Sequence, residues 1–351
     1  MKLTFSTATL RAAYAAATAA VPTKTAREVL RNVLLTSSVD GCKIIGSDGE
    51  LSVSASLPVQ ESHGQVLLPP IVGQILREIV AEHVTLEADE TSLIIIAEGS
   101  RFRIATADAN DYPPIGEVTG NGPSVLGATL SAAIDATAFA CDLGSARYAL
   151  GGVCMSEAYV VATDSRRLAV YESVTQILPQ ARVIPLKACN VLRRAFGALD
   201  GVSVNCDDNS VTFASDSMRV TTRFVEGRFP KWQEVIPTPE IHHTIRVGDL
   251  LRAVRLASTT TSADDKAVLM QLTETSCRLS SETETGSGAV EVDCAGSASV
   301  EIRVMAEYLA QALQSFPADA IIDIGTIASD QAVLLSCGPI RQVIMPITAP
   351  A

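Results

Sequence analysis

Ala162-Thr163-Asp164-Ser165-Arg166-Arg167-Leu168-Ala169-Val170 is a short polar segment between two apolar runs. The run before it, 158–161, and the run after it, 168–171, contain the valines and tyrosines that are typical of strands. Asp and Ser between such runs favour a turn, because their side chains can hydrogen-bond the local backbone. The segment therefore predicts a strand, a charged turn and a second strand, and taken alone it is compatible with an ordinary hairpin.

The bulk properties of the chain indicate a globular protein of two or three domains. It has 351 residues, of which 47% are hydrophobic and 19% charged. Its net charge of −12 excludes a uniformly basic nucleic-acid coat, so any contact with DNA must come from a locally basic surface. The N-terminus lacks the pattern of a signal peptide, and the apolar run 15–21 is too short to span a membrane. We therefore expect a cytoplasmic protein.

Neither cysteine nor histidine shows the spacing of a metal site. The eight cysteines are scattered without a Cys-x-x-Cys pair, which favours buried cytosolic thiols. The four histidines include the adjacent His242 and His243 but show no ligand spacing. We expect no metal and no cofactor.

An apolar stripe with helical spacing occurs three times at an interval of about 120 residues. Its copies are Leu10, Ala13, Tyr14 and Ala17; Leu130, Ala133, Ile134 and Thr137; and Leu250, Ala253, Val254 and Ala257. One repeated stripe could arise by chance, so a second repeated stripe is needed to establish an internal repeat.

The second helical stripe recurs at intervals of about 117 residues. Its copies are Val72, Ile75, Leu76, Ile79 and Val80; Ala188, Val191, Leu192, Ala195 and Phe196; and Met305, Tyr308, Leu309, Ala312 and Leu313. Each copy precedes several strand-like runs separated by polar turns. The sequence therefore predicts three similar α+β domains, at 1–120, 121–238 and 239–351. Pro- and Gly-rich segments mark both boundaries.

Two further segments accompany the 162–170 segment: Val225-Glu226-Gly227-Arg228-Phe229-Pro230 and Val343-Ile344-Met345-Pro346-Ile347. In this order and at roughly these distances, the three segments resemble those of bacterial sliding clamps. The chain is similar to the β subunit of DNA polymerase III, the processivity clamp. The resemblance spans the whole chain but is sparse outside these segments.

This resemblance implies the DNA clamp fold, in which three similar domains of two helices and β-sheet form part of a head-to-tail dimeric ring. The helices would line the channel and the sheets would lie outside. Such a homodimer also pairs the exposed edge strands, whose backbone N–H and C=O groups would otherwise lack partners. Head-to-tail contacts form a closed ring when the rotation between the subunits adds up to a full turn. The implied function is to encircle double-stranded DNA without sequence specificity and to tether the replicative polymerase. The clamp loader and repair proteins would bind through short linear motifs, and no catalytic residue and no membrane contact are implied.

The predicted helices carry seven bases and four acids, which reverses the whole-chain ratio of 27 to 39. The bases are Arg11, Arg77, Lys187, Arg193, Arg194, Arg252 and Arg255, and the acids are Glu78, Asp135, Asp249 and Glu307. Lys24 and Lys187 also match basic positions of the family. The residues expected to face DNA are Lys24, Arg77, Lys187, Arg193, Arg194 and Arg252. Contacts of this kind touch phosphates and carry no sequence information, and any single base is equally compatible with an ordinary solvated face.

The resemblance also implies a pocket for the motifs of partner proteins, here called clients. We define the client pocket by an apolar lining, an adjoining sub-site and a polar rim. The lining is Leu150, Thr163, Leu168, Pro230, Val235, Val343 and Met345; the sub-site is Arg147, Tyr308, Pro346 and Ile347; and the rim is Arg167. The chain departs from the family at Ser165, where glycine is usual, at Arg166, where histidine is common, and at Ala149, which replaces a larger residue. These departures bear on the preference of the pocket and predict a roomier second sub-site.

The dimer interface is expected on the strand-like segment 100–104, which resembles the interface strand of clamps. Phe102 and Ile104 lie on one face of it and would meet Leu256 and Ala257 in the last domain of the partner. Each apolar residue taken alone is also compatible with the core of its own domain.

Two other classes of function remain open at this point. Asp164, Arg166, Arg167 and Glu226 are compatible with a phosphoryl-transfer or acid-base site. However, the sequence has no P-loop, no glycine-rich phosphate cradle and no nucleophile paired with histidine. The second alternative is a clamp-like paralogue that acts as a protein-binding dimer without being loaded onto DNA, because the last predicted helix carries no base.

Overall fold

The computed structural model describes residues 1–39, 41–89, 91–120, 122–144, 148–262, 265–284 and 286–347. Within these residues the chain forms six α-helices, which fall in pairs along the sequence. They are α1 (Thr7–Thr18), α2 (Pro70–Glu78), α3 (Gly127–Thr137), α4 (Leu186–Phe196), α5 (Val247–Ala257) and α6 (Ala306–Gln314).

The strands follow the three predicted sequence repeats. The first repeat contains β1 (Lys2–Ser6), β2 (Val33–Ser38), β3 (Gly41–Ser47), β4 (Leu51–Leu57), β5 (Gly64–Leu68), β6 (His83–Ala88), β7 (Ser92–Ala97) and β8 (Ser100–Ala105). The second contains β9 (Ser124–Val125), β10 (Gly152–Met155), β11 (Tyr159–Thr163), β12 (Arg167–Glu172), β13 (Arg182–Pro185), β14 (Val202–Cys206), β15 (Ser210–Ala214) and β16 (Met218–Arg223). The third contains β17 (Ile241–Arg246), β18 (Ala267–Leu272), β19 (Ser276–Thr283), β20 (Gly286–Asp293), β21 (Ala295–Gly296), β22 (Val300–Met305), β23 (Ile321–Thr326), β24 (Val333–Cys337) and β25 (Ile340–Ile344).

The first apolar stripe is confirmed in all three copies, since every one of its residues is buried in α1, α3 or α5. In the second stripe the central residues of each copy lie on a helix, but the prediction is wrong for the last two residues of the first copy. There α2 stops at Glu78, because Ile79 adopts an extended backbone with φ −68° and ψ 123°. Ile79 and Val80 therefore lie outside the helix, and Val80 is 98% exposed.

One compact unit of the structure comprises Met1–Ser131 and Asn190–Phe224. It contains a four-stranded sheet in the order β1-β6-β7-β8 and an eight-stranded sheet in the order β5-β2-β3-β4-β16-β15-β14-β9. The larger sheet joins two sequence repeats, because β4 pairs antiparallel with β16 and places Val53 opposite Val220.

The other compact unit comprises Ala132–Cys189 and Val225–Ala351. Its nine-stranded sheet has the order β13-β10-β11-β12-β25-β24-β23-β17-β21, and its four-stranded sheet has the order β20-β19-β18-β22. The pairing of β12 with β25 again joins two repeats and places Leu168 opposite Val343.

The predicted division into three domains at 120 and 238 remains a prediction. The compact units number two, and their limits fall within α3, within α4 and just after β16, between Phe224 and Val225, rather than at 120 and 238. The physical reason is that each long sheet is continuous across a repeat boundary, so backbone hydrogen bonds tie neighbouring repeats together.

Candidate functional site

The segment at 162–170 forms the predicted hairpin, with β11 and β12 joined at Asp164, Ser165 and Arg166. The Asp164 carboxylate accepts hydrogen bonds from the backbone N–H groups of Arg166 and Arg167, each at 2.9 Å. Thr163 Oγ1 accepts from the Ser165 N–H at 3.1 Å and donates to the Arg167 carbonyl oxygen at 2.6 Å. These side-chain bonds fix the turn, as the residue types predicted.

The backbone at Ser165 has a conformation that favours glycine. Its φ is +74°, in the left-handed region that disfavours side chains with a Cβ atom. The residue tolerates this conformation because the side chains of Thr163 and Asp164, which precede it, bond the backbone of Ser165 and of the two residues after it. The turn is therefore rigid despite its unfavourable central residue.

Arg167, which is predicted to supply the polar rim of the client pocket, is bound internally. Its side chain is 10% exposed, and its Nε donates to Asp164 Oδ2 at 2.9 Å. One terminal nitrogen donates to the Phe139 carbonyl oxygen at 2.7 Å and the other to Gln311 Oε1. The guanidinium carbon also lies 4.4 Å from the centre of the Tyr308 ring. The side chain therefore joins the turn to α6.

A buried apolar cluster lies beneath the turn. It contains Leu168, Val343 and Trp232, together with Cys154, Val161, Val170, Val183 and Leu334. Trp232 also packs edge-on against Tyr159, with ring centres 5.1 Å apart. Sequence reasoning missed Trp232, although its place two residues after Pro230 was an available signal.

The predicted lining of the client pocket divides into a buried part, called the floor, and an exposed part. The floor consists of Leu150, Thr163, Leu168 and Val343, each less than a tenth exposed. Pro230 is exposed, and the side chains of Val235 and Met345 are 56% and 48% exposed. Tyr308, Pro346 and Ile347 are half-buried, while Arg147 lies outside the described residues. Exposed apolar side chains over an apolar floor can take the anchors of an extended peptide.

The residues of the alternative acid-base or phosphoryl-transfer site do not form one cluster of free groups. Asp164 and Arg167 are paired with each other, and Glu226 is exposed on a separate segment. Burial raises the pKa of the nearby Cys141 to about 12, so this thiol stays protonated near neutral pH and is a poor nucleophile. Among the residues that the structure describes, no group of three or more His, Cys, Asp or Glu side chains could hold a metal ion.

The six bases predicted to face DNA lie on the helices or beside them. Lys24, Arg77, Lys187, Arg194 and Arg252 are exposed, and Arg193 is half-buried. Arg252 is paired with Asp249 at 3.4 Å. Arg11, which was counted among the helix bases, instead donates to the carbonyl oxygens of Leu76 and Ile79 and anchors α1 to α2.

The segment predicted to form the dimer interface is an edge strand, β8, of the four-stranded sheet. Phe102 is 39% exposed, and Ile104 is packed partly against the core. In the last repeat Leu256 is 52% exposed, whereas Ala257 is fully buried in the core and is not accessible to a partner. Sequence reasoning missed a second edge strand, β20, on which Glu291 and Asp293 are exposed and alternate with core-packed valines.

No helix within the described part of the chain is long and apolar enough to cross a membrane.

Comparison with known proteins links this arrangement to one family. Two models of the DNA polymerase III beta subunit match the chain, one for its N-terminal domain over residues 1–116 and one for its central domain over residues 124–231. The beta sliding clamp of Synechocystis sp. is 28% identical over 288 residues, which cover 72% of this chain and 73% of that protein. The beta sliding clamp of Pseudomonas putida is 25% identical over 333 residues, which cover 88% of this chain and 89% of that protein.

Solved structures share the fold over nearly the whole length. The DNA polymerase III subunit beta of Pseudomonas aeruginosa matches with a TM-score of 0.92 at 22% identity, covering 99% of this chain and 100% of that one. The Thermotoga maritima beta subunit matches with a TM-score of 0.91 at 20% identity and the same coverage. The two family models together span more than half of the sequence, and the fold agrees with them. The chain therefore belongs to the DNA polymerase III beta subunit family, that of the beta sliding clamps.

Proposed function

We propose that this protein is a DNA sliding clamp: a ring that encircles duplex DNA and tethers the replicative polymerase and other clients. The observation that carries the proposal is the clamp fold itself, with one helix-and-sheet arrangement repeated along the chain. In the proposed ring the helices line the channel, and Lys24, Arg77 and Arg194 are exposed there toward DNA. The protein acts in the cytoplasm as a processivity factor rather than as a catalyst.

DNA is held by topology more than by affinity in this proposal. The affinity of a protein for DNA falls with salt in proportion to the phosphates that it neutralises, and this chain offers few bases on an acidic body. A closed ring needs no more, because encirclement prevents dissociation while water and ions allow it to slide. The decisive assay is retention: protein loaded by a clamp loader should stay on circular DNA and slide off linear DNA.

The ring requires a head-to-tail homodimer, which the two edge strands support. β8 presents Arg101 and Arg103 on one face and Phe102 and Ile104 on the other. β20 presents Glu291 and Asp293 on one face and valines on the other. Antiparallel or parallel pairing of β8 with β20 of a second copy would continue the sheet, with bases beside acids and apolar groups beside apolar groups.

Clients are proposed to bind the pocket defined above. An extended peptide would place an apolar anchor between Met345 and Val235, over the floor formed by Leu168 and Val343. A pocket shared among many clients favours modest affinity, on the order of micromolar. A solved Pseudomonas aeruginosa clamp of the same fold is bound to griselimycin, so ligand binding is known for a structural relative.

The client pocket is tested by replacing an exposed residue rather than a core one. Leu168→Ala would leave a cavity in the buried cluster and cost about 2–5 kcal/mol of stability, so loss of binding there would be ambiguous. Met345→Ala removes an anchor contact from a side chain that is 48% exposed. We expect it to weaken binding of a polymerase-derived motif at least tenfold (roughly 1.4 kcal/mol) without unfolding the protein. Val174→Ala is the matched control, since Val174 is 98% exposed, and unchanged binding by Met345→Ala would place the site elsewhere.

The alternative function is a clamp-like paralogue that binds proteins as a dimer without DNA loading. This alternative is favoured because few basic side chains on the helices are left to contact DNA. Helix α6 carries no basic residue, Arg252 is paired with Asp249, and Arg11 is bound to backbone carbonyl oxygens. The retention assay separates the two functions, because the paralogue would dimerise and bind clients but would not remain on circular DNA.

A further inference from the structure

We propose that Gln311 is a positioning residue of the client pocket. By holding the Arg167 side chain, it would fix the hairpin turn relative to Tyr308 and so set the spacing between the two sub-sites. The inference deepens the proposed function and rests on it, but it assigns a role to a residue outside the pocket lining.

Arg167 is held in one orientation by three acceptors in different directions. Nε faces Asp164 in the turn, one terminal nitrogen faces the Phe139 carbonyl oxygen, and the other faces Gln311 on α6. The guanidinium group is planar with its donors in a rigid fork, so three acceptors define the plane of the group. In that plane it lies against the Tyr308 ring, with its carbon 4.4 Å from the ring centre.

Gln311 is itself oriented by a second contact. Its Nε2 donates to Glu307 Oε1 at 3.1 Å, one helical turn earlier on α6. With the nitrogen bound there, Oε1 is left to accept from Arg167. Glu307, Gln311, Arg167 and Asp164 therefore form a polar chain between α6 and the turn. Asp164 closes the chain by accepting the turn's own N–H groups.

Loss of the Gln311 acceptor would release Arg167 from this arrangement. A nearly buried arginine N–H without an acceptor lowers the stability of the folded state. The guanidinium group would therefore turn toward water and move away from the Tyr308 ring. Tyr308 in the adjoining sub-site would then lose its fixed distance from the lining at Leu168. A peptide that anchors in both sub-sites depends on that distance, whereas a peptide with a single anchor does not.

The test compares two synthetic peptides, one with a Leu and a Phe anchor and one in which the Phe is replaced by Ala. Binding is measured by fluorescence anisotropy for the full-length wild type, Gln311→Leu, Gln311→Glu and Gln314→Leu. Gln314 is the matched control, because it lies on the same helix and is exposed. Gln311→Leu should weaken the two-anchor peptide about tenfold and the single-anchor peptide less than about twofold. Gln311→Glu should bind the two-anchor peptide nearly as the wild type does, since its carboxylate still accepts from Arg167 and its repulsion with the exposed Glu307 is screened by salt.

A second measurement does not depend on peptides. Amide hydrogen exchange in residues 163–168 should be faster in Gln311→Leu than in Gln314→Leu, while the emission of Trp232, the single tryptophan, shows that the fold is retained. Equal weakening of both peptides, or unchanged binding with unchanged exchange, would overturn the positioning role. A wild-type protein that binds neither peptide would overturn the client pocket itself, and the role of Gln311 with it.

Discussion

Ser165 is the one residue other than glycine with a positive φ in the described part of the chain. A left-handed conformation costs a residue with a Cβ atom about 1–2 kcal/mol, which glycine avoids. Glycine is more flexible in the unfolded chain, however, and this offsets about 0.5–1 kcal/mol of the stability gained by the substitution. We therefore expect Ser165→Gly to raise stability by up to about 1 kcal/mol and Ser165→Val to lower it. Denaturation followed by Trp232 emission measures both. Ser329→Gly, at an exposed position without positive φ, should not stabilise, and a gain there as large as at Ser165 would contradict the strain argument.

His243 should make the stability depend on pH. The residue is 1% exposed, and within the described part of the chain neither ring nitrogen makes a hydrogen bond of standard geometry, although the backbone of Thr273 and Ala298 lies close to the ring. Burial lowers the pKa of His243 below its ordinary value of 6.5, so the unfolded chain takes up the proton first as pH falls. The stability that comes from keeping His243 neutral is fully present above pH 6.5. It is lost as the pH falls below that value toward the pKa of His243 in the folded protein.

The variant His243→Leu should flatten the stability profile below about pH 6.5. His63→Gln is the control, because His63 is exposed and its replacement should leave the profile as it is. Thermal melts at several pH values provide the measurement. An unchanged slope in His243→Leu would assign the acid sensitivity to other groups.

At the scale of the element, β8 and β20 are the two strands on which the proposed dimer depends. Replacing Arg101 and Arg103 together by Glu would place like charges opposite Glu291 and Asp293 and should convert dimers to monomers at micromolar concentration. Combining that change with Glu291→Arg and Asp293→Arg should restore the dimer, which light scattering would report as about twice the chain mass. A monomeric wild type, or a charge swap that restores nothing, would argue against pairing of these strands.

For the whole molecule, the proposed ring predicts that retention on DNA depends on the bases that are expected to face DNA. Reversal of Lys24, Lys187 and Arg193 together should impair loading or retention on circular DNA while leaving the protein folded. Reversal of Lys2, Lys43 and Lys266, none of which is expected to face DNA, is the control for the change in net charge. Equal retention of both variants would show that the helices do not face DNA.

The sequence by itself determined the local elements of this protein. The first stripe put Leu10, Leu130 and Leu250 in the core because helical periodicity is a local property, and the turn residues at 163–167 predicted the hairpin for the same reason. The family resemblance, carried by three short segments, gave the fold class and the candidate pocket.

Tertiary structure decided which elements meet. The pairing of β4 with β16 and of β12 with β25 depends on chain closure over long distances, which local propensity does not encode. The burial of Trp232 and the contact between Arg167 and Gln311, 144 residues apart, arise in the same way. Arg167 is an instance: the family resemblance assigned it to the polar rim of the client pocket, and only the folded chain shows that Phe139, Tyr308 and Gln311 surround it.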